Sequence, residues 1–263
     1  MLLGLIVVML WAYRTGVPLR LAHGERGPLF CLGILFTVQI ALLNVASAMT
    51  SPAYGVVILN SYAVFAILTG HFLAGKPSTA WLEVPLTRQR TLGLLLALSG
   101  VAVLATGTVT SALAPNPGLG NALMALSALF LGVRQVYTRW LTQFINPVRA
   151  VVWQMGWSVP LFLLSAVVSE PFVYQTPSWE AIGAIAYQGI IVAGFCFIAW
   201  AKLLKRHSAG TLSMYAFLVP ISGIALSSFI FGEAIHPQLL IGGVLVLAGV
   251  FQVTRVQAPL PKE

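Results

Sequence analysis

Charge is scarce in this sequence. Only 8% of its 263 residues are charged, aspartate is absent, and acidic residues number six in all. Hydrophobic residues make up 59% of the chain, and the mean hydropathy is +0.92. So little polar surface cannot cover a water-soluble globule of this size, so the composition indicates an integral membrane protein.

Groups that could carry chemistry are also few and scattered. Cys31 and Cys196 lie in separate apolar runs, and the four histidines lie on different loops or helix ends, so we expect neither a disulfide nor a metal site. No two carboxylates share one depth, which argues against an intramembrane enzyme. The segment Gly70–Lys76 matches the spacing of a phosphate-binding loop, but Pro77 stands where Ser or Thr must bind magnesium. We therefore expect no cofactor.

Nine apolar segments separated by short connections account for nearly the whole chain. The first, at thirteen residues, is shorter than the roughly 17 to 25 that span a bilayer. The predicted segments are Met1–Tyr13, Pro28–Ala48, Pro52–Leu73, Thr91–Thr108, Leu119–Trp140, Ala150–Val168, Trp179–Ala201, Thr211–Phe231 and Leu239–Thr254.

Alternating these segments across a membrane places all 14 Lys and Arg residues on one side. The opposite loops contain no cation and hold Glu170, Glu180 and Glu233. By the positive-inside rule the basic side is cytoplasmic, and so is the C-terminus. The net charge of +8 is explained by these loop anchors, and we expect no nucleic-acid partner.

Two parts of the sequence repeat each other. Ser51–Lys76 resembles Ser208–Glu233, and Leu92–Leu104 aligns with Ile241–Val253. The second alignment pairs two glycines that are seven residues apart, Gly93 and Gly100, with Gly242 and Gly249. Seven residues are close to two helical turns, so each helix presents small residues on one side, where another helix can approach closely.

The predicted topology makes the two repeats inverted, because Ser51 lies outside and Ser208 inside. Inversion requires an odd number of helices in each repeat. The second half of the chain contains five predicted helices and the first half contains four. We therefore expect the counterpart of Leu119–Trp140 to lie upstream of Met1. The predicted fold is an all-α membrane protein of two inverted five-helix repeats, with nine of ten transmembrane helices present. The repeats cover residues 1–108 and 118–256.

The second repeat also carries a family likeness. Ser208-Ala209-Gly210, Pro220, Gly232-Glu233 and the run Leu247-Ala248-Gly249-Val250 resemble the end of an EamA domain of the drug/metabolite transporter superfamily. The resemblance implies a ten-helix secondary transporter that exports or exchanges small metabolites such as amino acids, and a bacterial cytoplasmic (inner) membrane location. The first repeat departs from the pattern, with Ala63 in place of the proline and Lys76 in place of the glutamate.

Polar and aromatic side chains at mid-depth are the candidates for substrate binding. In a bilayer such groups either join helices or line a cavity, and both interpretations stay open. Amides and tyrosines suit a zwitterion or another neutral polar ligand, and aromatic side chains suit an apolar group. Pro220 is a candidate gate or a static bend. The cavity candidates are Gln39, Asn44, Asn60, Tyr62, Trp153, Gln154, Tyr187, Gln188 and Tyr215.

The sequence thus favours a transporter that works by alternating access, with a small-molecule substrate and the lipid bilayer as its partners. A non-transporting membrane scaffold or partner subunit is the alternative, and an intramembrane enzyme is a weaker one. Amino acids, nucleosides and drugs all fit the candidate residues. Proton coupling, facilitated diffusion and exchange stay open, as do the monomeric and homodimeric states.

Overall fold

The computed structural model describes residues 1–73, 87–107, 114–169, 177–206 and 218–255. Over these ranges the chain forms helices joined by short connections, so it is an all-α membrane protein, as predicted. In chain order the helices are α1 (Leu2–Arg14), α2 (Arg26–Ser47), α3 (Pro52–Asn60), α4 (Tyr62–Leu73), α5 (Arg88–Ala105), α6 (Pro117–Phe144), α7 (Pro147–Ser169), α8 (Trp179–Ala186), a π-helix (Tyr187–Cys196), α9 (Phe197–Arg206), α10 (Leu218–Phe231) and α11 (Pro237–Arg255).

Each of the nine predicted segments coincides with helical residues. The third is divided into α3 and α4, and the seventh consists of α8, the π-helix and α9. Three shorter apolar helices are Leu2–Arg14, Leu218–Phe231 and Pro237–Val253. Among the described residues, six stretches are long and apolar enough to cross a membrane: Arg26–Ser47, Pro52–His71, Arg88–Ala105, Pro117–Phe144, Pro147–Val167 and Trp179–Arg206.

The chain divides into two compact units. Unit 1 comprises Met1–Thr37 and Tyr137–Ser208, and unit 2 comprises Val38–Val136 and Ala209–Glu263. This division follows spatial proximity, whereas the predicted repeats follow sequence similarity. The repeat boundaries at 1–108 and 118–256 therefore stay predictions.

The core of unit 1 forms where α1 packs against the π-helix and α7. Glycine permits the close approach: a Cβ atom on Gly189 would lie 2.7 Å from Leu3 Cβ, and one on Gly194 would lie 2.7 Å from Val7 Cγ1. In return, a Cβ on Gly4 would lie 2.6 Å from Ala193 Cβ. Small residues on both helices bring the backbones together, which is the usual basis of helix association in lipid.

The core of unit 2 includes the antiparallel pair α5 and α11, which meets through four glycines. A Cβ on Gly93 would lie 2.8 Å from the carbonyl oxygen of Gly249, and one on Gly100 would lie 2.8 Å from that of Gly242. The close approach predicted from the seven-residue glycine spacing is thus confirmed. Each glycine of one helix contacts the backbone of the other, so neither helix has room for a larger side chain there.

A helix break at Ser61 divides the span Pro52–His71. The Ser61 amide and hydroxyl both donate to the Ile58 carbonyl, at 3.0 and 2.7 Å, and Val64 N–H donates to the Ser61 carbonyl at 2.9 Å. These three-residue hydrogen bonds tighten the chain locally, and Phe65 N–H still donates to the Ser61 carbonyl at 3.4 Å. Ser61 is fully buried, so its hydroxyl satisfies a carbonyl that water does not reach.

Candidate functional site

Gln39 is the candidate that the structure places deepest inside its unit. It lies on α2 with 2% of its surface exposed, and its side-chain amide faces Ser127 on α6, which is completely buried. The amide nitrogen Nε2 lies 3.3 Å from Ser127 Oγ, and Ser127 Oγ lies 3.0 Å from the backbone carbonyl of Gln39. Both residues belong to unit 2, so this polar pair lies within a single unit.

The chemistry of this pair fixes the orientation of the Gln39 amide. A serine hydroxyl has one proton, and Ser127 donates it to the Gln39 carbonyl. The hydroxyl must therefore accept from the side chain of Gln39, so Nε2 and not Oε1 faces Ser127. Oε1 points elsewhere and has no hydrogen-bond donor within the described part of the chain. A buried acceptor without a donor costs about 1–3 kcal/mol, and a ligand N–H group would remove this cost.

Asn60 and Tyr62 flank the helix break at Ser61, also in unit 2. Asn60 ends α3 and donates through Nδ2 to the Val56 carbonyl at 2.8 Å, while Tyr62 begins α4 and is 8% exposed. Helix α6 packs closely here, since a Cβ on Gly132 would lie 2.8 Å from the Tyr62 carbonyl oxygen. The carbonyl oxygens of Ile58 and Ser61 both accept hydrogen bonds at this point, so the helix break leaves neither of them free.

Trp153 and Gln154 lie on α7 in unit 1. The Trp153 indole N–H donates to the Leu19 carbonyl at 2.9 Å, so Trp153 anchors the connection between α1 and α2. Arg149, one turn earlier, reaches the same connection through a 2.7 Å ion pair with Glu25. Gln154 is 3% exposed. Trp153 therefore has a structural role, because its indole N–H is already engaged by the Leu19 carbonyl.

An aromatic cluster adjoins Trp153. The ring centroid of Trp153 lies 6.0 Å from that of Trp157. The Phe30 ring meets Trp157 edge-on, with 5.1 Å between the centroids. Gly33 makes room for this packing, because a Cβ there would lie 2.6 Å from Trp157 Cβ. The indole nitrogen of Trp157 is buried and has no acceptor among the described residues. Unit 1 thus combines an apolar wall with an unused indole donor.

The remaining candidates are not joined to these clusters. Asn44 on α2 is exposed, and so are Tyr187 and Gln188 at the start of the π-helix, with Tyr187 60% exposed. Pro220 is buried in the first turn of α10 as described. Tyr215 lies outside the described residues, as does the chain just before Leu218. The structure therefore brings Gln39 together with Ser127, and Asn60 with the break at Ser61, within unit 2.

Several polar residues that were not site candidates are buried in unit 2, and Thr50, Asn121 and Ser127 are three of them. Asn121 is 1% exposed, accepts from the Thr50 hydroxyl and donates to the Leu104 carbonyl at 2.8 Å. Ser127 is the third. A serine or asparagine within an apolar helix has no periodic signal that marks it as buried and paired. Only the positions of their partners along the chain, 71 residues away for Thr50 and 88 for Gln39, reveal the pairing.

A multi-helix membrane protein with hydrogen-bonding groups buried inside its helical units has features expected of a small-molecule transporter. Residues 118–255, which are more than half of the chain, match the EamA-like transporter family. The chain belongs to this family, as the sequence analysis predicted. It is an integral multi-pass membrane transporter of the drug/metabolite transporter type, and it binds a small-molecule substrate in the setting of a lipid bilayer.

Similar proteins bear transporter names. The "Probable amino-acid metabolite efflux pump" of Salmonella typhimurium is 26% identical over 90% of this chain and 77% of its own length. The "Uncharacterized transporter YoaV" of Bacillus subtilis is 20% identical over 85% of this chain and 72% of its own. A solved crystal structure with 22% identity superimposes with a TM-score of 0.67 and covers 97% of this chain and 86% of that one, which supports the fold.

Proposed function

We propose that this protein exports or exchanges amino acids or related small metabolites by alternating access. The transporter class follows from the family, and the name of the Salmonella typhimurium relative supports the substrate class. The observation that carries the proposal is the Gln39 amide, whose oxygen is buried, correctly oriented by Ser127 and still able to accept a hydrogen bond. An α-ammonium group supplies the missing donor.

The α5–α11 contact supports an inverted-repeat plan. The sequence alignment makes Gly93 equivalent to Gly242 and Gly100 equivalent to Gly249. In the structure Gly93 faces Gly249 and Gly100 faces Gly242. If each glycine is replaced by its aligned equivalent, the contact of Gly93 with Gly249 becomes the contact of Gly242 with Gly100. A two-fold axis in the membrane plane requires this relation. We further propose a bacterial cytoplasmic membrane location with a cytoplasmic C-terminus, on the basis of the one-sided cations.

The test is transport by the purified protein in liposomes. A panel of labelled amino acids is loaded inside, and efflux is measured with and without unlabelled substrate outside, so that net export and exchange are separated. A pH gradient is added in a second series. We expect efflux of at least one amino acid. If no amino acid of the panel is transported under any condition, the proposed substrate class is wrong, and the result favours a non-transporting membrane scaffold.

Variants of Gln39 test the site itself. Gln39→Leu removes both the donor and the acceptor, and we expect a loss of transport of about ten-fold or more, the factor that one good hydrogen bond to a charged group provides. Gln143→Leu is the matched control, because Gln143 is exposed near the end of α6. Ser127→Ala, which frees the amide to rotate, is expected to reduce transport less. Wild-type rates in folded Gln39→Leu protein would contradict the assignment.

A further inference from the structure

Glu233 lies immediately beyond the end of α10, and its backbone directs it back toward that helix. Gly232 follows the last residue of α10 and has a φ of +64°, a left-handed conformation that glycine adopts without steric cost. The turn brings the Glu233 carboxylate to Ser227, whose hydroxyl donates to Oε2. Ser227 is 3% exposed, so this hydrogen bond forms at a buried position on α10.

The same carboxylate oxygen reaches a second helix. Ala53 N–H, at the second position of α3, donates to Glu233 Oε2 at 3.3 Å. The next amide, that of Tyr54, donates to the Ser51 side chain at 3.4 Å. Two of the amides that an α-helix leaves unpaired at its N-terminus are therefore capped, one by the helix's own Ser51 and one by Glu233. A negative charge also suits the positive end of the helix dipole.

The rest of the α3–α10 contact is weaker than the glycine contact of α5 and α11. The glycine of α10 at this contact, Gly223, faces only a side chain, with its added Cβ 2.6 Å from Val56 Cγ1. The carboxylate thus ties the first turn of α3 to the end of α10. Removing the acceptor would leave the Ala53 amide without its cap, while Val56 and Gly223 would still be in place.

We propose that Glu233 is a latch: its hydrogen bonds to Ala53 and Ser227 hold the start of α3 against the end of α10 and keep this end of unit 2 closed. The breaking of these hydrogen bonds is then a step of the transport cycle. This inference rests on the proposed function. The sequence supplies no equivalent at the aligned position of the first repeat, where Lys76 stands. An ammonium group has no acceptor and cannot cap helix amides. The latch is therefore asymmetric, and it favours the conformation that is closed at this end.

The experiment measures access to the latch without any substrate. Cys31 and Cys196 are replaced by serine, and Ala53→Cys introduces a buried thiol on α3. A membrane-impermeant thiol reagent is applied separately to each face of sealed vesicles. We expect Glu233→Ala to raise the labelling rate from one face about ten-fold, and Glu233→Gln, which retains an acceptor oxygen, to raise it less.

The controls separate a latch from a general loss of structure. Glu180→Ala removes an exposed carboxylate from the first turn of α8, and labelling is expected to stay unchanged. Ser158→Cys places a second thiol at a fully buried position in unit 1. An equal rise at this position would show that Glu233 is only structural, and no rise at Ala53→Cys would also overturn the proposal. Because labelling needs no substrate, the latch and the proposed function fail independently of each other.

Discussion

Two helix pairs in unit 2 are held together by opposite means. Helices α5 and α11 meet backbone to backbone, with four glycines at the contact and their added Cβ atoms within 3.2 Å of backbone atoms of the other helix. The contact of α3 and α10 includes one glycine against a valine side chain and the Glu233 carboxylate. The first pair depends on shape alone, and the second depends on a charge.

This difference indicates which parts of the unit move. A backbone contact that excludes even a methyl group cannot open by a rotamer change, so α5 and α11 form a fixed frame. Hydrogen bonds to a single carboxylate break when the side chain that carries it moves, so we expect α3 and α10 to separate more readily. A transporter needs both kinds of contact, because one part must stay rigid while another opens.

The largest effect is expected from adding a methyl group to the fixed pair. Gly249→Ala places a Cβ 2.5 Å from the Gly93 carbonyl oxygen, which only a shift of the helices can relieve. We expect a loss of about 3 kcal/mol of stability, seen as a lower unfolding midpoint in detergent. Gly243→Ala in the same helix is the control: its nearest neighbour is Val57 Cγ1 at 3.9 Å, so this variant should unfold at or above the wild-type midpoint.

A smaller effect, which a second substitution partly restores, is expected at the contact of α3 and α10. Gly223→Ala brings a Cβ against Val56, and because the neighbour is a side chain we expect a cost of about 1–2 kcal/mol. Adding Val56→Ala should restore part of the loss, since it removes the opposing methyl groups. The four proteins of this double-mutant cycle are compared by their unfolding midpoints. Strict additivity would show that the two residues do not meet.

The smallest effect is expected from the cap of α3. Ser51→Ala removes the acceptor for Tyr54 N–H, at a cost of about 0.5–1 kcal/mol. The loss should be larger in a Glu233→Ala background, because the helix then has neither of its two caps. Ser178→Ala, which removes the equivalent cap of α8, should cost the same with or without Glu233. Equal costs for Ser51→Ala in both backgrounds would contradict the shared capping of α3.

The sequence predicted the parts of this fold that depend on long patterns. Apolar runs located the helices, and glycines seven residues apart located the sides of α5 and α11 where another helix can approach closely. The break at Ser61 was not predicted, since its serine is one of several small residues in an apolar run. The π-helix was not predicted either, because its apolar composition is that of an ordinary membrane helix. Tyr187 and Gln188, at the start of the π-helix, were predicted to lie at mid-depth, and this prediction did not show that their side chains are exposed.

The candidate site was predictable only in part, for a similar reason. Gln39 could be selected because a long amide is rare at mid-depth and must be satisfied there. Its partner Ser127 could not, since the pair is formed by residues 88 positions apart. Glu233 was predicted only to lie in a loop on the side opposite the cations, and its hydrogen bond to Ala53 spans 180 positions. Side-chain chemistry sets what a residue needs, whereas the fold determines what it meets.

The reciprocal glycine contacts also bear on how such a chain could arise. If the alignment of the repeats is used, the face of α5 that meets α11 is equivalent to the face of α11 that meets α5. Such a contact is isologous, as in a two-fold symmetric dimer. One helix with two glycines is then enough to make both halves of the interface, and a single ancestral repeat inserted in both orientations could have paired with a copy of itself before the two were fused.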